Sequence, residues 1–314
     1  MMILQAIIFI LIGAVGVIWG ADRFTDGAAS LARKFNISQM VVGLTIVAFG
    51  TSAPEMFVSL MSAIQGSTAM AVANIIGSNI FNILLIVGAS AAVCVVSINP
   101  GTVRRDMPIV LLSSLLLTLL CLDGKISVLD GCVMLAGLIV FVIYMIRLGH
   151  KTPNGVEGEA TEIKVYGTGR SILYILIGLL CLVVCSSLFV RGASAVAVFL
   201  GVSDVVVGLT IVAGGTSLPE LATSVVAARK GQSALAIGNV VGSCVYNILF
   251  ILGLTGVICP MATNGITQLD YVMMNGSVLL MWLFCYSRFR ISRGEGWIMM
   301  SVFFAYMAWI VFTA

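Results

Sequence analysis

The sequence predicts an all-α membrane protein of ten transmembrane helices, arranged as two inverted five-helix repeats with both termini outside. Three observations predict it. Sixty per cent of the 314 residues are apolar and nine per cent charged, with a mean hydropathy of +1.15, a balance suited to lipid as solvent rather than to a soluble core. The stretch Gly43-Leu-Thr-Ile-Val-Ala-Phe-Gly-Thr-Ser-Ala-Pro-Glu55 returns as Gly208-Leu-Thr-Ile-Val-Ala-Gly-Gly-Thr-Ser-Leu-Pro-Glu220. When the loops are assigned alternately to two sides, 14 of the 16 Lys and Arg residues fall on one of them.

A helical span takes about 20 residues, and the chain divides into ten apolar stretches: 3–21, 37–62, 70–95, 107–121, 126–147, 171–190, 203–228, 234–258, 269–287 and 296–313. The fourth is the shortest, and nothing is left over for a soluble domain. Residues 1–20 lack a basic start, and Trp19-Gly-Ala-Asp22 is a poor cleavage site, so they read as the first span rather than a signal peptide. The eight cysteines are scattered without a CxxC pair and read as small apolar residues in helices. The single histidine, His150, reads as interfacial. A net charge of +3 is no nucleic-acid signal, because the basic residues are sorted by side, with only Lys125 and Arg191 on the sparse one. The positive-inside rule makes the rich side cytoplasmic and puts both termini outside. The expected location is a prokaryotic cell (inner) membrane.

Gly43, Pro54, Glu55, Asn74, Gly77, Ser78, Asn82 and Gly88 match Gly208, Pro219, Glu220, Asn239, Gly242, Ser243, Asn247 and Gly253 at a constant spacing of 165 residues. The duplication divides the chain into a first unit (1–148), a cytoplasmic linker (149–169) and a second unit (170–314), with the matched motifs at 43–88 and 208–253. Five spans per unit is an odd number, so the second copy enters the membrane upside down. The charges agree: Gln65-Gly-Ser-Thr68 falls outside and Arg229-Lys230 inside. Inverted repeats with interrupted helices in matching positions are a transporter architecture, with the substrate site near the midplane.

Each motif places a carboxylate mid-span, where an isolated charge costs roughly 2.5–3.5 kcal/mol even on insertion scales. Pro54 lacks an amide hydrogen and its ring meets the carbonyl four residues back, so the helix should kink or unwind around Gly50. Carbonyls freed at membrane depth are tolerable only where they face protein or a polar cavity. Thr51 and Ser52 stand at i−4 and i−3 from Glu55, on its face of a regular helix, and Thr216 and Ser217 repeat this before Glu220. Ser78 and Asn82 share a face, as do Ser243 and Asn247. All are oxygen donors, which suit calcium, sodium or magnesium and argue against zinc or copper. Magnesium sheds water reluctantly, which counts against it in a narrow site. With no cation bound, two buried carboxylates repel and lose hydration, so protons or sodium should compete for them with a divalent ion. Plainer readings stand beside these. Proline can be only a kink, and Thr or Ser can bond back to its own helix. Ala73/Gly77 and Gly238/Gly242 read as helix-packing pairs, and Asn74 and Asn239 read equally as interhelical glue or ion contacts.

The duplicated G-T-S-x-P-E and G-S-x-x-x-N elements resemble the alpha-repeats of the sodium/calcium exchanger family, within the cation/calcium antiporter superfamily. The resemblance implies a ten-helix fold in which the second, third, seventh and eighth helices enclose four cation sites. It implies calcium contacts from Glu55, Glu220, Thr51 and Thr216. It implies sodium contacts from Ser52, Ser217, Ser78, Ser243 and the carbonyls of Ala48 and Ala213, and amide contacts from Asn82 and Asn247. It also implies a switching motion in which the first and sixth helices slide across the core. Asn247 stands where potassium-dependent relatives have Asp, which lowers the expectation of potassium co-transport. Cys244 replaces the asparagine found at Asn79 in the first copy. Gly238-Asn239-Val-Val-Gly242 lacks the glutamate of the GN-x-x-E arrangement in proton/calcium exchangers, which favours sodium as driver.

The function expected is therefore sodium-driven calcium export by alternating access, with calcium, sodium and the lipid bilayer as partners. No cofactor, nucleic acid or obligate protein partner is implied. A proton/calcium antiporter would use the same glutamates. A cation channel would need a continuous pore, and an intramembrane hydrolase is suggested only by the carboxylate pair.

Overall fold

The computed structural model describes residues 3–151, 164–201, 211 and 213–313. Its helices are α1 (Ile3–Lys34), α2 (Gln39–Thr51), α3 (Ala53–Ile64), α4 (Thr68–Val93), α5 (Thr102–Asp123), α6 (Val128–Lys151), α7 (Thr168–Phe199), α8 (Ala213–Thr216), α9 (Leu218–Arg229), α10 (Ser233–Ile258), α11 (Gln268–Arg288) and α12 (Arg293–Thr313). Among the described residues, eight helices are long and apolar enough to cross a membrane, and the pair α2–α3, bent by 45°, makes a ninth candidate. Most of the expected seventh span's first half (202–210 and 212) lies outside the described residues.

Several expected limits are corrected. α1 and α7 each run 32 residues, about 48 Å at 1.5 Å per residue, well beyond a hydrocarbon core of about 30 Å. Hydropathy stops where the lipid does, whereas the helix continues through Asp22, Arg23 and Asp26. The short fourth stretch, expected at 107–121, is a helix over Thr102–Asp123.

The sequence repeat recurs as structure. α1 and α7, and likewise α3 and α9, begin and end 165 residues apart. The turns after α3 and α9 are built alike. Gly66 (φ +85°) and Gly231 (φ +71°) occupy the left-handed region. The next residue donates back to a carbonyl five positions earlier, Ser67 to Ser62 and Gln232 to Ala227. Only glycine takes that conformation without strain, and it lets the chain reverse within three residues.

Four two-residue strands depart from the purely helical expectation. β1 (Val96–Ser97) pairs antiparallel with β4 (Arg290–Ile291), and β2 (Lys125–Ile126) with β3 (Met261–Ala262). Each pair joins one copy to the other. β1 and β2 flank opposite ends of α5, so the two small sheets mark opposite ends of that helix.

α4 and α10 form the centre: 67% and 78% of their apolar windows are buried, against 22% for α1, α6, α7 and α12. Around them the backbones come into contact where side chains vanish. A Cβ on Gly238 would lie 2.7 Å from the Met40 carbonyl oxygen and 3.0 Å from the Gly43 Cα, and one on Gly242 would lie 2.7 Å from the Ala48 Cβ. The packing reading of Gly238 and Gly242 is thus correct. Gly77, by contrast, has no described atom near its Cβ direction.

Charge breaks the similarity of the halves. Lys230 Nζ lies 2.7 Å from both Asp22 Oδ1 and Asp26 Oδ1, and donates to the Asp22 carbonyl at 2.8 Å. This ties α1 to the turn between α9 and α10. The equivalent positions of the other half, Gln65, Ser187 and Arg191, form no ion pair, and every ion pair among the described residues belongs to the Asp22–Arg23–Asp26–Lys230 cluster.

Two thermal-unfolding measurements check this packing. Gly238→Val is expected to destabilise by about 3 kcal/mol or more through overpacking. Gly276→Ala, whose added methyl meets nothing on exposed α11, is expected to be neutral or to gain up to about 1 kcal/mol. For the half-exposed cluster, Lys230→Gln is expected to lower stability by no more than about 1–2 kcal/mol.

Candidate cation site

The site begins with two broken helices. Pro54 and Pro219 sit in the first turn of α3 and α9, where a missing N–H is tolerated. The residue before each helix, Ser52 (φ −80°, ψ 7°) or Ser217 (φ −90°, ψ 10°), leaves helical geometry in the same way. The break comes at Ser52 rather than at Gly50, two residues later than expected. Further irregularity lies nearby: Gly43–Val47, Phe81–Ile86 and Asn247–Leu252 form wider π turns, a feature common at functional sites. The last two of these include Asn82 and open on Asn247.

Glu55 and Glu220 are buried to 1% and 0% exposure. Ser217 Oγ donates to Glu55 Oε1 at 2.8 Å, and Ser52 Oγ donates to Glu220 Oε1 at 3.1 Å. Thr216 approaches Glu55, and Thr51 approaches Glu220. The hydroxyls therefore serve the carboxylate of the other copy. Ser52, expected on the face of Glu55, gives its hydroxyl to Glu220 of the other copy.

The remaining expected donors lie on α2, α4, α8 and α10. Ser78 lies 3.4 Å from Ser217. Ser243, Asn82 and Asn247 are buried. The Ala48 carbonyl accepts from the Ser52 amide at 3.1 Å, with the Thr51 hydroxyl 3.4 Å away, so its own helix already uses it. Ala213 begins α8.

A supporting layer surrounds these groups. Asn239 Nδ2 donates to Ser224 Oγ at 2.9 Å, and Asn74 Nδ2 donates to Ser59 Oγ at 3.0 Å. The two serines in turn donate to the Ala236 and Ala71 carbonyls. Asn239 also accepts from Thr51 at 3.1 Å, so it both joins helices and holds an expected ligand. Asn79 Nδ2 donates to the Cys244 carbonyl at 3.3 Å and its Oδ1 accepts from Asn247 Nδ2 at 3.0 Å. The sequence reading missed Ser59, Ser224 and the role of Asn79. The serines recur at the same 165-residue spacing and were detectable by it; Asn79 has no such signal, since its counterpart is Cys244.

Buried polar atoms in a folded protein are almost always paired. Here Glu55 Oε2, Glu220 Oε2, Ser243 Oγ, Asn247 Oδ1 and both amide atoms of Asn82 have no partner among the described residues. No ion pair reaches either glutamate among the described residues. An uncompensated buried carboxylate costs several kcal/mol, so the two glutamates call for positive charge. No group of three or more His, Cys, Asp or Glu residues suited to a metal exists among the described residues. The donors are two carboxylates with neutral oxygens, the chemistry of a hard cation. A cavity of about 30 Å³ between Phe49, Ser52, Met56 and Tyr246 leaves room for about one water beside the site.

Comparison with known proteins agrees with this arrangement. The family model described as sodium/calcium exchanger protein matches residues 5–147 and 170–312, one match for each copy of the repeat. The chain is similar to the putative antiporter CaxA of Alkalimonas amylolytica, with 41% identity over 96% of this chain and 98% of that protein. It is also similar to the inner membrane protein YrbG of Escherichia coli, at 31% identity over 97% and 96%. Among solved structures, it superposes on the sodium-calcium exchanger NCX_Mj soaked with Na+ and Sr2+ with a TM-score of 0.84 and 30% identity, over 98% of this chain and 99% of that one. The protein is a multi-pass membrane antiporter, and it belongs to the sodium/calcium exchanger family.

Proposed function

We propose that the protein exports calcium in exchange for sodium, by alternating access at a midplane site between two inverted five-span units. The observation that carries this reading is the pair of cross-bonded glutamates, each with one oxygen held by the other copy's serine and the second oxygen open. Two carboxylates carry a charge of −2, which one calcium ion or two sodium ions balance. The same oxygens therefore serve either load, and neither can bind fully while the other is present. Ser52, Ser78, Ser217, Ser243, Asn82 and Asn247 contribute neutral dipoles, so any further sodium ion is held without a third fixed charge. Thr51 and Thr216 complete the calcium shell, and the carbonyls of Ala48 and Ala213 turn toward sodium as their helix ends loosen.

Export against a membrane potential of 100 mV costs about 4.6 kcal/mol for two charges, at about 2.3 per charge. Exchange for more than two sodium ions recovers part of that work. The ten-span count places the basic loops inside and both termini outside. The β1–β4 and β2–β3 pairs fit that count, since each joins loops it assigns to one side.

Calcium-45 uptake into proteoliposomes loaded with sodium is expected to exceed uptake into potassium-loaded ones. Glu55→Gln or Glu220→Gln is expected to reduce it by more than about a hundredfold, since each removes a charged ligand. Uptake driven by a pH gradient and indifferent to sodium contradicts the sodium coupling. Uptake that persists with no counter-ion gradient contradicts exchange and favours a channel. For topology, a cysteine placed at Lys125 in an otherwise cysteine-free protein is expected to react with an impermeant thiol reagent from outside. One placed at Arg229 should react only after the cells are opened; the opposite result inverts the assignment.

A further inference from the structure

We propose that Asn79 is a positioning residue that fixes the Asn247 amide with its oxygen toward the cation, while Cys244, in the mirror position, leaves Asn82 without such a guide. The proposal rests on the exchange reading above. Its consequence is that the two copies, near-identical in motif, present unequal amides to the ion.

The orientation follows from a chain of necessities. A backbone carbonyl can only accept, so the Asn79 group 3.3 Å from the Cys244 carbonyl is its Nδ2. The other end of the Asn79 amide is therefore Oδ1, which accepts from Asn247 across 3.0 Å. Asn247 must meet it with Nδ2, and this turns Asn247 Oδ1 away, where it is buried and has no partner among the described residues. A cation needs that oxygen; an amide turned the other way offers it two N–H donors. The main chain of α10 thus sets the direction of a side chain on α10, relayed through Asn79 on α4.

Repeat symmetry says what the mirror arrangement would need. Position 244 would supply an oxygen to accept from Asn82 Nδ2 and a nitrogen to donate to the Asn79 carbonyl. The chain has cysteine there. Its thiol lies beside Asn82, and both amide atoms of Asn82 are unpartnered among the described residues, at 1% exposure. A thiol is a weak donor and a weak acceptor, so it selects only weakly which end of Asn82 faces the ion. Asn247 is a prepared ligand; Asn82 must turn to become one. The competing view, that the Asn79–Asn247 bond only glues α4 to α10, predicts a change in stability with ion affinity untouched.

Equilibrium calcium-45 binding and sodium displacement on the purified full-length protein in detergent, beside thermal unfolding, separate these views. Asn79→Ala is expected to weaken calcium binding roughly tenfold, the lower end for loss of a group that orients a ligand. In an Asn247→Ala background the same substitution should add nothing. Cys244→Asn is expected to tighten binding about threefold or more, by preparing Asn82 as Asn247 is prepared, and this gain should vanish with Asn82→Ala. An Asn79→Ala protein that melts earlier yet binds calcium within about twofold of wild type overturns the proposal, as do independent, multiplying effects of Asn79→Ala and Asn247→Ala. If Asn79→Ala does not fold, the cysteine arm decides: unchanged affinity in Cys244→Asn overturns the proposal. A folded wild type that binds neither calcium nor sodium overturns the exchange reading, and this inference with it.

Discussion

Each of the two buried glutamates is held by a serine from the other half of the molecule, and the rest of the architecture serves that exchange of hydrogen bonds. For Ser52 to reach Glu220 and Ser217 to reach Glu55, both helices must break at the same depth. Pro54 and Pro219 fix that depth by denying the first turn of α3 and α9 an N–H they do not need. The breaks must also approach closely, and Gly238 and Gly242 allow α10 to meet α2 backbone to backbone. The β1–β4 and β2–β3 pairs bind one copy to the other at both ends of α5. The site belongs to neither half alone.

That arrangement is unstable as a neutral-partner network. One serine satisfies one oxygen of each carboxylate, and among the described residues the second oxygens remain open, as do Ser243 Oγ, the Asn82 amide and Asn247 Oδ1. In a water-poor interior such groups are costly, and no Lys or Arg among the described residues pairs with either glutamate. The molecule's only ion-pair cluster among the described residues, around Lys230, lies at the basic end of α1 and leaves the site's charge alone. On the account proposed, mobile cations supply what the protein withholds, and a net charge of −2 makes one divalent ion and two monovalent ions equivalent loads. On that account competition between the ions follows from electroneutrality, and alternating access turns it into exchange.

Much of this was legible in the sequence because duplication at a fixed spacing marks positions that hydropathy cannot. Glu55 and Glu220 stood out as charges in apolar runs, and the proline, serine and threonine positions came with them. Their pairing did not, since helical spacing relates residues of one copy and is silent on bonds such as Ser52 to Glu220 that join the two. The ends of α1 and α7 were missed because the apolar signal ends at the lipid boundary and the helix does not. The four short strands escaped because two residues carry no alternation, and their partners lie in the other copy. The role of Asn79 was not legible for the opposite reason: the repeat marks Cys244 as a departure from Asn79 but does not say what Asn79 holds.

The measurement that tests the shared-charge account most directly is equilibrium calcium binding to the purified protein across a sodium titration, with potassium replacing sodium at constant ionic strength. The account predicts one calcium ion displaced competitively, with a dependence steeper than first order in sodium, because at least two sodium ions must enter to balance the glutamates. Calcium binding that is indifferent to sodium, or reduced equally by potassium, would show that the two ions do not share Glu55 and Glu220.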